Sequence, residues 1–268
     1  MQLPPSEPLK ATIKHFLVLK NEDTLSHNYR LFSDGNPGMV FHFNKPLLQY
    51  KQTEGIWFPQ PSSFAYGQVS DFSELISRGD FHMLVVVLQP YAIYSLCKVA
   101  GYELTNQTVP LTDIFGAKIN DLEEQVIGAA NICEAISLIE SWLISQLKKA
   151  KEPDGYLKRS IELICYNKGM LTIEKLLAQV PVTERQMERK FKEYIGITPK
   201  KFTDIVRFQA FIKALKSSKS ASITEMVYRF GYYDQAHLNN YFKRKTGVTP
   251  FDYKTNLNLL AVNLMQVD

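Results

Sequence analysis

The chain has 268 residues, 45% apolar and 12% aromatic, with a formal net charge of +4, which is enough material for two ordinary domains with real cores. The longest uninterrupted apolar run, Met83 to Leu88, is far too short to span a bilayer, and MQLPPSEPLK lacks the basic stretch and apolar run of a secretion signal. With three scattered cysteines, Cys97, Cys133 and Cys165, this excludes a disulfide scaffold and leads us to expect a cytoplasmic protein with no membrane partner.

Residues 1–10 hold three prolines and read as a loose arm. Ile13 to Leu19 reads as a strand, Asn21 to His27 as a polar loop, and Gly35-Asn36-Pro37-Gly38 as a turn. Met39 to Phe43 follows as a strand, Gly55 to Pro61 as strand then turn, and Phe64 to Val69 and Phe81 to Leu88 as β-rich runs. The expectation is a small, mostly β barrel or half-sandwich. Its aromatics Phe41, Phe43, Trp57, Phe58, Phe64 and Tyr66 either line an effector pocket or, as such sets more often do, fill core. No ligand-binding residue is assigned.

Helical character then takes over, at Tyr91 to Ala100, Leu111 to Phe115, Asp121 to Ala130 and Ile132 to Leu147. In the last, Ile136, Ile139, Leu143 and Leu147 share a stripe. Lys148 to Gly155, KKAKEPDG, reads as a linker. The fold class is therefore α+β: a β-rich then helical domain over 1–150, and an all-α domain over 151–268 that opens with a helix at Tyr156 to Tyr166. The tail LNLLAVNLMQVD is apolar enough to dock, and the N-terminal domain is the candidate surface.

The second domain is built on a repeat. Shifting Thr183–Pro199, TERQMERKFKEYIGITP, by 51 gives Asp234–Pro250, DQAHLNNYFKRKTGVTP. Met187 falls on Leu238, Phe191 on Phe242, Lys192 on Lys243, Gly196 on Gly247, Pro199 on Pro250 and Phe202 on Tyr253. Upstream the offset is 50, and Ile173, Leu176 and Leu177 fall on Ile223, Met226 and Val227. Met187, Phe191 and Ile195 lie on one face of a helix at about 184–195; its copy spans about 235–246. Thr183 with Gln186 has the form of a capping box, Asp234 caps the copy, and Gly196 and Gly247 stop the two helices. Thr198-Pro199 reads as cap and first residue of the next helix, and Ser222 to Glu225 as another capping box. Two short helices joined by a tight turn make a helix-turn-helix, here present twice.

The exposed faces carry base-reading chemistry: Arg185, Gln186, Glu188 and Arg189 in the first copy, Gln235, His237, Asn239 and Asn240 in the second. Arg suits guanine, and Asn or Gln suits adenine. Thr183, Lys192, Lys243 and Arg244 are placed to hold phosphates. An ordinary solvated face would explain one copy as well, but two with matched caps and stops leave that explanation weak. Residues 151–268 hold 20 Lys and Arg against 12 Asp and Glu, a balance of +8, while the first 150 residues stand at −4. A polyanion therefore suits the second domain.

Residues 155–256 closely resemble the DNA-binding domain of the AraC/XylS family of bacterial transcription regulators, through LLAQVPVTERQMERKFKEYIGITPKKFTDIVRFQA and ITEMVYRFGYYDQAHLNNYFKRKTGVTPFDY. The resemblance implies seven helices in two helix-turn-helix subdomains. A linker helix at about Lys200 to Lys216 would carry the family's arginine at Arg207, and both recognition helices would enter successive major-groove turns on one face of the duplex. The chain departs from the pattern at Pro181, where the family has a turn glycine, and at Leu177 and Val227, where it has small residues. Tyr232 stands for Phe, and Asn240 stands where the family usually has Arg, so Arg185 and Arg189 become the better base readers. The segment 69–147 is similar to the N-terminal domain often joined to such regulators, which implies sensing or oligomerisation.

Other chemistries find no support. His15, His27, His42, His82 and His237 pair with no Cys or His at ligand spacing, so neither metal nor cofactor is expected. There is no phosphate loop, no G-x-S-x-G and no H-E-x-x-H, and none of the cysteines stands in the Pro-Cys-His-Arg context of the alkyl-transfer repair proteins that carry this module. The reading is a non-enzyme that binds double-stranded DNA as a monomer or homodimer, with a small-molecule effector and RNA polymerase as further partners. The rival is a ligand-binding or scaffold protein whose second domain no longer reads DNA.

Overall fold

The computed structural model describes residues 1–148, 152–217, 223–255, 258–261 and 263–267. Two six-stranded antiparallel sheets face each other. The first runs β1 (Gln2–Leu3), β2 (Ile13–Asn21), β9 (Phe81–Leu88), β4 (Gly38–His42), β7 (Ser63–Tyr66), β10 (Thr108–Pro110) in spatial order. The second runs β11 (Leu259–Ala261), β12 (Leu264–Gln266), β3 (Ser26–Phe32), β8 (Phe72–Arg78), β5 (Leu48–Lys51), β6 (Ile56–Pro59).

The apolar run in β9 follows from its position. Leu84, Val86 and Leu88 pack beneath helices α1 (Ala92–Cys97), α3 (Ile119–Ile127) and α4 (Ile132–Leu147). Met83, Val85 and Val87 point to the other side, with Tyr29 and Leu75 of the second sheet. A strand covered on both faces has no polar side to show. The half-sandwich expected from sequence is thus a complete two-sheet sandwich, plus a helical layer on the outer face of the first sheet that includes α2 (Leu111–Phe115).

The strands that escaped the sequence pattern include β3, β5 and β8. β3, of which only Ser26 and His27 fell in the expected polar loop, is SHNYRLF; β8 is FSELISR and β5 LQYK. Each has one face over the inter-sheet space and one toward solvent or polar neighbours, so few residues needed to be apolar. Helix α1 is shorter than the expected Tyr91–Ala100 because Lys98 takes the left-handed conformation at φ 57° and ends it. Of the linker Lys148–Gly155, residues 149–151 lie outside the described residues.

Seven helices follow among the described residues: α5 (Gly155–Tyr166), α6 (Ile173–Leu177), α7 (Glu184–Ile195), α8 (Pro199–Ser217), α9 (Ile223–Arg229), α10 (Gln235–Thr246) and α11 (Pro250–Thr255). Ser222, of the second capping box, lies outside the described residues. One core gathers Leu176, Met187, Phe191 and Ile195; the other gathers Met226, Val227, Leu238 and Phe242. Helix α8 serves both, giving Phe202 and Ile205 to the first and Phe208, Phe211, Ile212 and Leu215 to the second. It therefore carries apolar residues around most of its circumference.

The tail docks where the sequence suggested. β11 and β12 form a hairpin, and β12 adds to the free edge of β3 with Leu264 opposite Leu31, Met265 opposite Arg30 and Gln266 opposite Tyr29. Phe32 and Met265 then join the second helical core, which links the sandwich to the helices.

Candidate nucleic-acid interface

Helices α7 and α10 start and stop as their sequences dictate. The Thr183 hydroxyl accepts from the Gln186 amide at 3.3 Å, and the Gln186 side chain accepts from the Thr183 amide at 3.1 Å, which closes the capping box. Asp234 accepts from the His237 amide at 2.7 Å. Gly196 and Gly247 end the helices at φ 94° and 78°, where a side chain would be strained.

Burial then sorts the faces. Met187 and Phe191, like Leu238 and Phe242, are fully buried, and this turns the opposite faces outward. Arg185, Gln186, Glu188, Arg189 and Lys192 are all exposed and border one shallow groove of about 540 Å³ along α7. Three cations against one carboxylate leave that groove positive. On α10, Gln235, His237, Asn240, Lys243 and Arg244 are exposed, while Asn239 is half-buried. Gln235 already accepts a hydrogen bond from the Thr224 hydroxyl at 3.2 Å, and the Arg244 guanidinium lies 5.3 Å from the centre of the Tyr241 ring. The second face is therefore less charged, and two of its groups have neighbours to leave before they meet a ligand.

Arg207 does not lie with these residues. It binds Asp204 at 2.8 Å, one turn back on α8, and its guanidinium sits 5.1 Å from the centre of the Tyr232 ring, just before α10. It ties the buried helix to the second unit. Burial raises the Tyr232 phenol above its ordinary range, so that ring stays neutral beside Arg207. Tyr233 was missed by sequence reasoning: it is 85% exposed, immediately before the Asp234 cap. Its signal was weak, because an aromatic next to a tight turn reads first as core.

A second feature lies between the sandwich and the helices. A cavity of about 1010 Å³ is walled by Leu19, Val40, Phe64 and Met83 of the first sheet, by Leu75 of the second, and by Phe202 and Val206 of α8. Of the aromatics flagged in the sequence, only Phe64 and Tyr66 line it. Phe41 packs on the far side of the sheet, Phe43 against His82, and Trp57 and Phe58 sit on the edge strand β6. Lys14, Lys168, Lys213 and Arg229, all exposed, stand at its mouth against Asp34. Burial, reinforced by Lys14, lowers the His15 pKa and keeps that ring neutral at the rim. Gln60, also on the wall, holds the buried His42 at 3.2 Å, whose pKa burial lowers to about 4.

Two capped recognition helices hung on one buried helix define a double helix-turn-helix module. A helix-turn-helix domain family matches residues 176–256, and a family described as a domain of unknown function, DUF6597, matches residues 1–110. The transcriptional regulator MtrA of Neisseria gonorrhoeae is 29% identical over 82 residues, 31% of this chain and 27% of that protein. The transcriptional activator RhaS of Escherichia coli O139:H28 is 29% identical over 76 residues, 28% of this chain and 27% of that protein. The match thus spans about a quarter of the length of these relatives. Among solved structures, ToxT from Vibrio cholerae O395 aligns over 91% of this chain and 97% of its own, at 12% identity and a TM-score of 0.48. The C-terminal domain of AraT, a response regulator from Geobacillus stearothermophilus, aligns over 39% of this chain and 87% of its own, at 24% identity and a TM-score of 0.36. The C-terminal region matches a helix-turn-helix domain family, and the relatives it resembles are described as transcriptional regulators.

No helix among the described residues is long and apolar enough to cross a membrane.

Proposed function

We propose that the protein is a cytoplasmic, sequence-specific DNA-binding transcription regulator and not an enzyme, with an effector-binding domain over 1–150 and the DNA-binding domain over 151–268. The observation that carries this reading is the pairing of α7 and α10. They are equivalent members of a repeat, each capped, each with its polar N-terminal half exposed, and both anchored to α8. In a helix-turn-helix it is the N-terminal end of the second helix that meets base edges. Arg185, Gln186, Glu188 and Arg189 read one major-groove element, and Gln235, His237, Asn239 and Asn240 the next. Thr183, Lys192, Lys243 and Arg244 hold phosphates, and Arg207 fixes the second unit to the linker helix. The output is contact with, or exclusion of, RNA polymerase, by a monomer or a homodimer.

The test is selection of duplexes from a random pool by the full chain, followed by a salt series. Two short elements about one helical turn apart, with affinity falling steeply in salt, are the expected result. Retention without a motif would reduce the protein to a phosphate binder, and no retention at low salt would favour the scaffold reading that Asn240 suggests.

The cavity supports an effector role for the first domain. Its walls mix apolar side chains with Gln49, Gln60 and Gln209, and the described residues at its mouth carry four cations against one carboxylate, so the expected effector has an apolar body and an acidic group. A thermal-shift screen should show stabilisation by such molecules and none by neutral sugars, because a ligand that binds only the native state raises the melting temperature.

A further inference from the structure

The repeat puts Gly196 and Gly247 at equivalent positions, and the sandwich region grips both. At the first, Gly101 lies so close that a Cβ on Gly196 would come within 2.5 Å of the Gly101 carbonyl oxygen, and a Cβ on Gly101 within 2.6 Å of the Gly196 nitrogen. The Thr105 hydroxyl donates to the Gly196 carbonyl at 3.2 Å. At the second, Arg30 of β3 donates to the Gly247 carbonyl at 3.0 Å, and a Cβ on Gly247 would meet that guanidinium at 2.5 Å. Beside it, Lys245 of α10 pairs with Asp71 at 3.1 Å and donates to the Ser70 carbonyl. Both recognition helices are thus held at the carbonyl of the C-terminal glycine by a donor from the N-terminal domain, with their N-terminal ends left free. The carbonyl end of a helix is its negative end, which suits these donors, Arg30 above all.

Helix α8 joins the two units along one side only. The two glycine grips close the loop on the other side, through the two-sheet sandwich. We infer that the N-terminal domain is a gauge that fixes the separation of the two recognition helices, with Arg30, Gly101, Thr105 and Lys245 as positioning residues that set the spacing of the DNA elements accepted. This rests on the DNA-reading proposal above. Leu31 and Asn106, the chain neighbours of Arg30 and Thr105, line the cavity, which places both grips one residue from its wall.

The variant to make, in the full chain, is Arg30→Ala with Thr105→Val and Lys245→Ala; none of the three belongs to a buried apolar core, although Arg30 also lies over the Phe72 ring and Lys245 beside Tyr241. Its fold is checked by circular dichroism and melting. The first readout is the distance between nitroxides at Glu188→Cys and Asn240→Cys, with the exposed Cys133 and Cys165 changed to Ser. The expected result is one narrow distance with the grips intact and a broad distribution without them; equal widths would overturn the gauge. The second readout is affinity for the selected element pair with one or two base pairs added or removed between the elements. Each base pair displaces the second element by about 3.4 Å and turns it by roughly a tenth of a revolution. The intact protein should lose about tenfold per misplaced step, the scale of a lost base contact. The variant should bind all spacings within a few-fold. A spacing preference as sharp in the variant as in the intact protein overturns the inference while DNA binding stands. If the intact protein binds no duplex, the regulator reading fails first and takes the gauge with it. The conservative Arg30→Lys alone, which keeps a cationic donor at that position, should keep the narrow distance.

Discussion

The two helix-turn-helix units differ on the surface and agree inside. Met187 and Phe191 occupy in one the places that Leu238 and Phe242 occupy in the other, all buried, and each recognition helix is capped by a side-chain oxygen and stopped by a left-handed glycine. The exposed faces share almost nothing. The first is arginine-rich and carries its charge into an open groove. The second is built from amides and a histidine, with its cations at the C-terminal end, where Lys245 is spent on Asp71 and Arg244 rests on Tyr241. The lesson is that burial and capping fix where a recognition helix stands, while what it reads is free to vary.

The interior agreement can be broken most directly. Phe191→Ala and Phe242→Ala should each cost about 3–5 kcal/mol in denaturant unfolding, because each leaves a large cavity at the centre of its core. A clear inequality would show that one unit is held by the sandwich more than by its own packing; Phe32 and Met265, which reach into the second core, name that unit in advance. Next come the surfaces. Arg185→Ala or Arg189→Ala should weaken cognate binding by about 1–3 kcal/mol and relax one position of the site. Asn239→Ala should cost less, since its side chain is already half-buried; an equal loss in mobility-shift titrations would erase the asymmetry between the units.

The caps test the shared frame at smaller scale. Thr183→Ala and Asp234→Ala should each destabilise by about 0.5–2 kcal/mol; at position 183 the backbone amide keeps its bond to Gln186 and only the hydroxyl's bonds are lost. The smallest effect sharpens the comparison: Asn240→Arg should add one phosphate or guanine contact and steepen the salt dependence of binding by about one counterion. An unchanged slope would mean that position 240 does not face the duplex.

The helical half was legible because its signals are local. A period of 3.6, a capping oxygen three residues from an amide and a glycine after the last turn are all contained within a dozen residues, so α7 and α10 match the expected 184–195 and 235–246. Arg207 was legible as a member of the linker helix but not in its role, because Tyr232 lies on a different element. The sandwich was legible only where a strand is covered on both faces, as in β9. Strands β3 and β8 owe their existence to partners far away in sequence, β5 pairs both with β8 and with its hairpin neighbour β6, and the residues of all three alternate too weakly to announce them.

By itself, the sequence determined the repeat, the two recognition helices with their ends, the residues on their outer faces, and an apolar tail that needed a surface. Each of these is set by interactions between residues a few positions apart, or by a periodicity that marks which side must leave water. Only the tertiary structure decided that the tail completes the edge of β3, that a cavity opens between sandwich and linker helix, and that Gly196 and Gly247 are held by Thr105 and Arg30. Those contacts join residues from 91 to 237 positions apart, and they form only when the sandwich and the helices pack together.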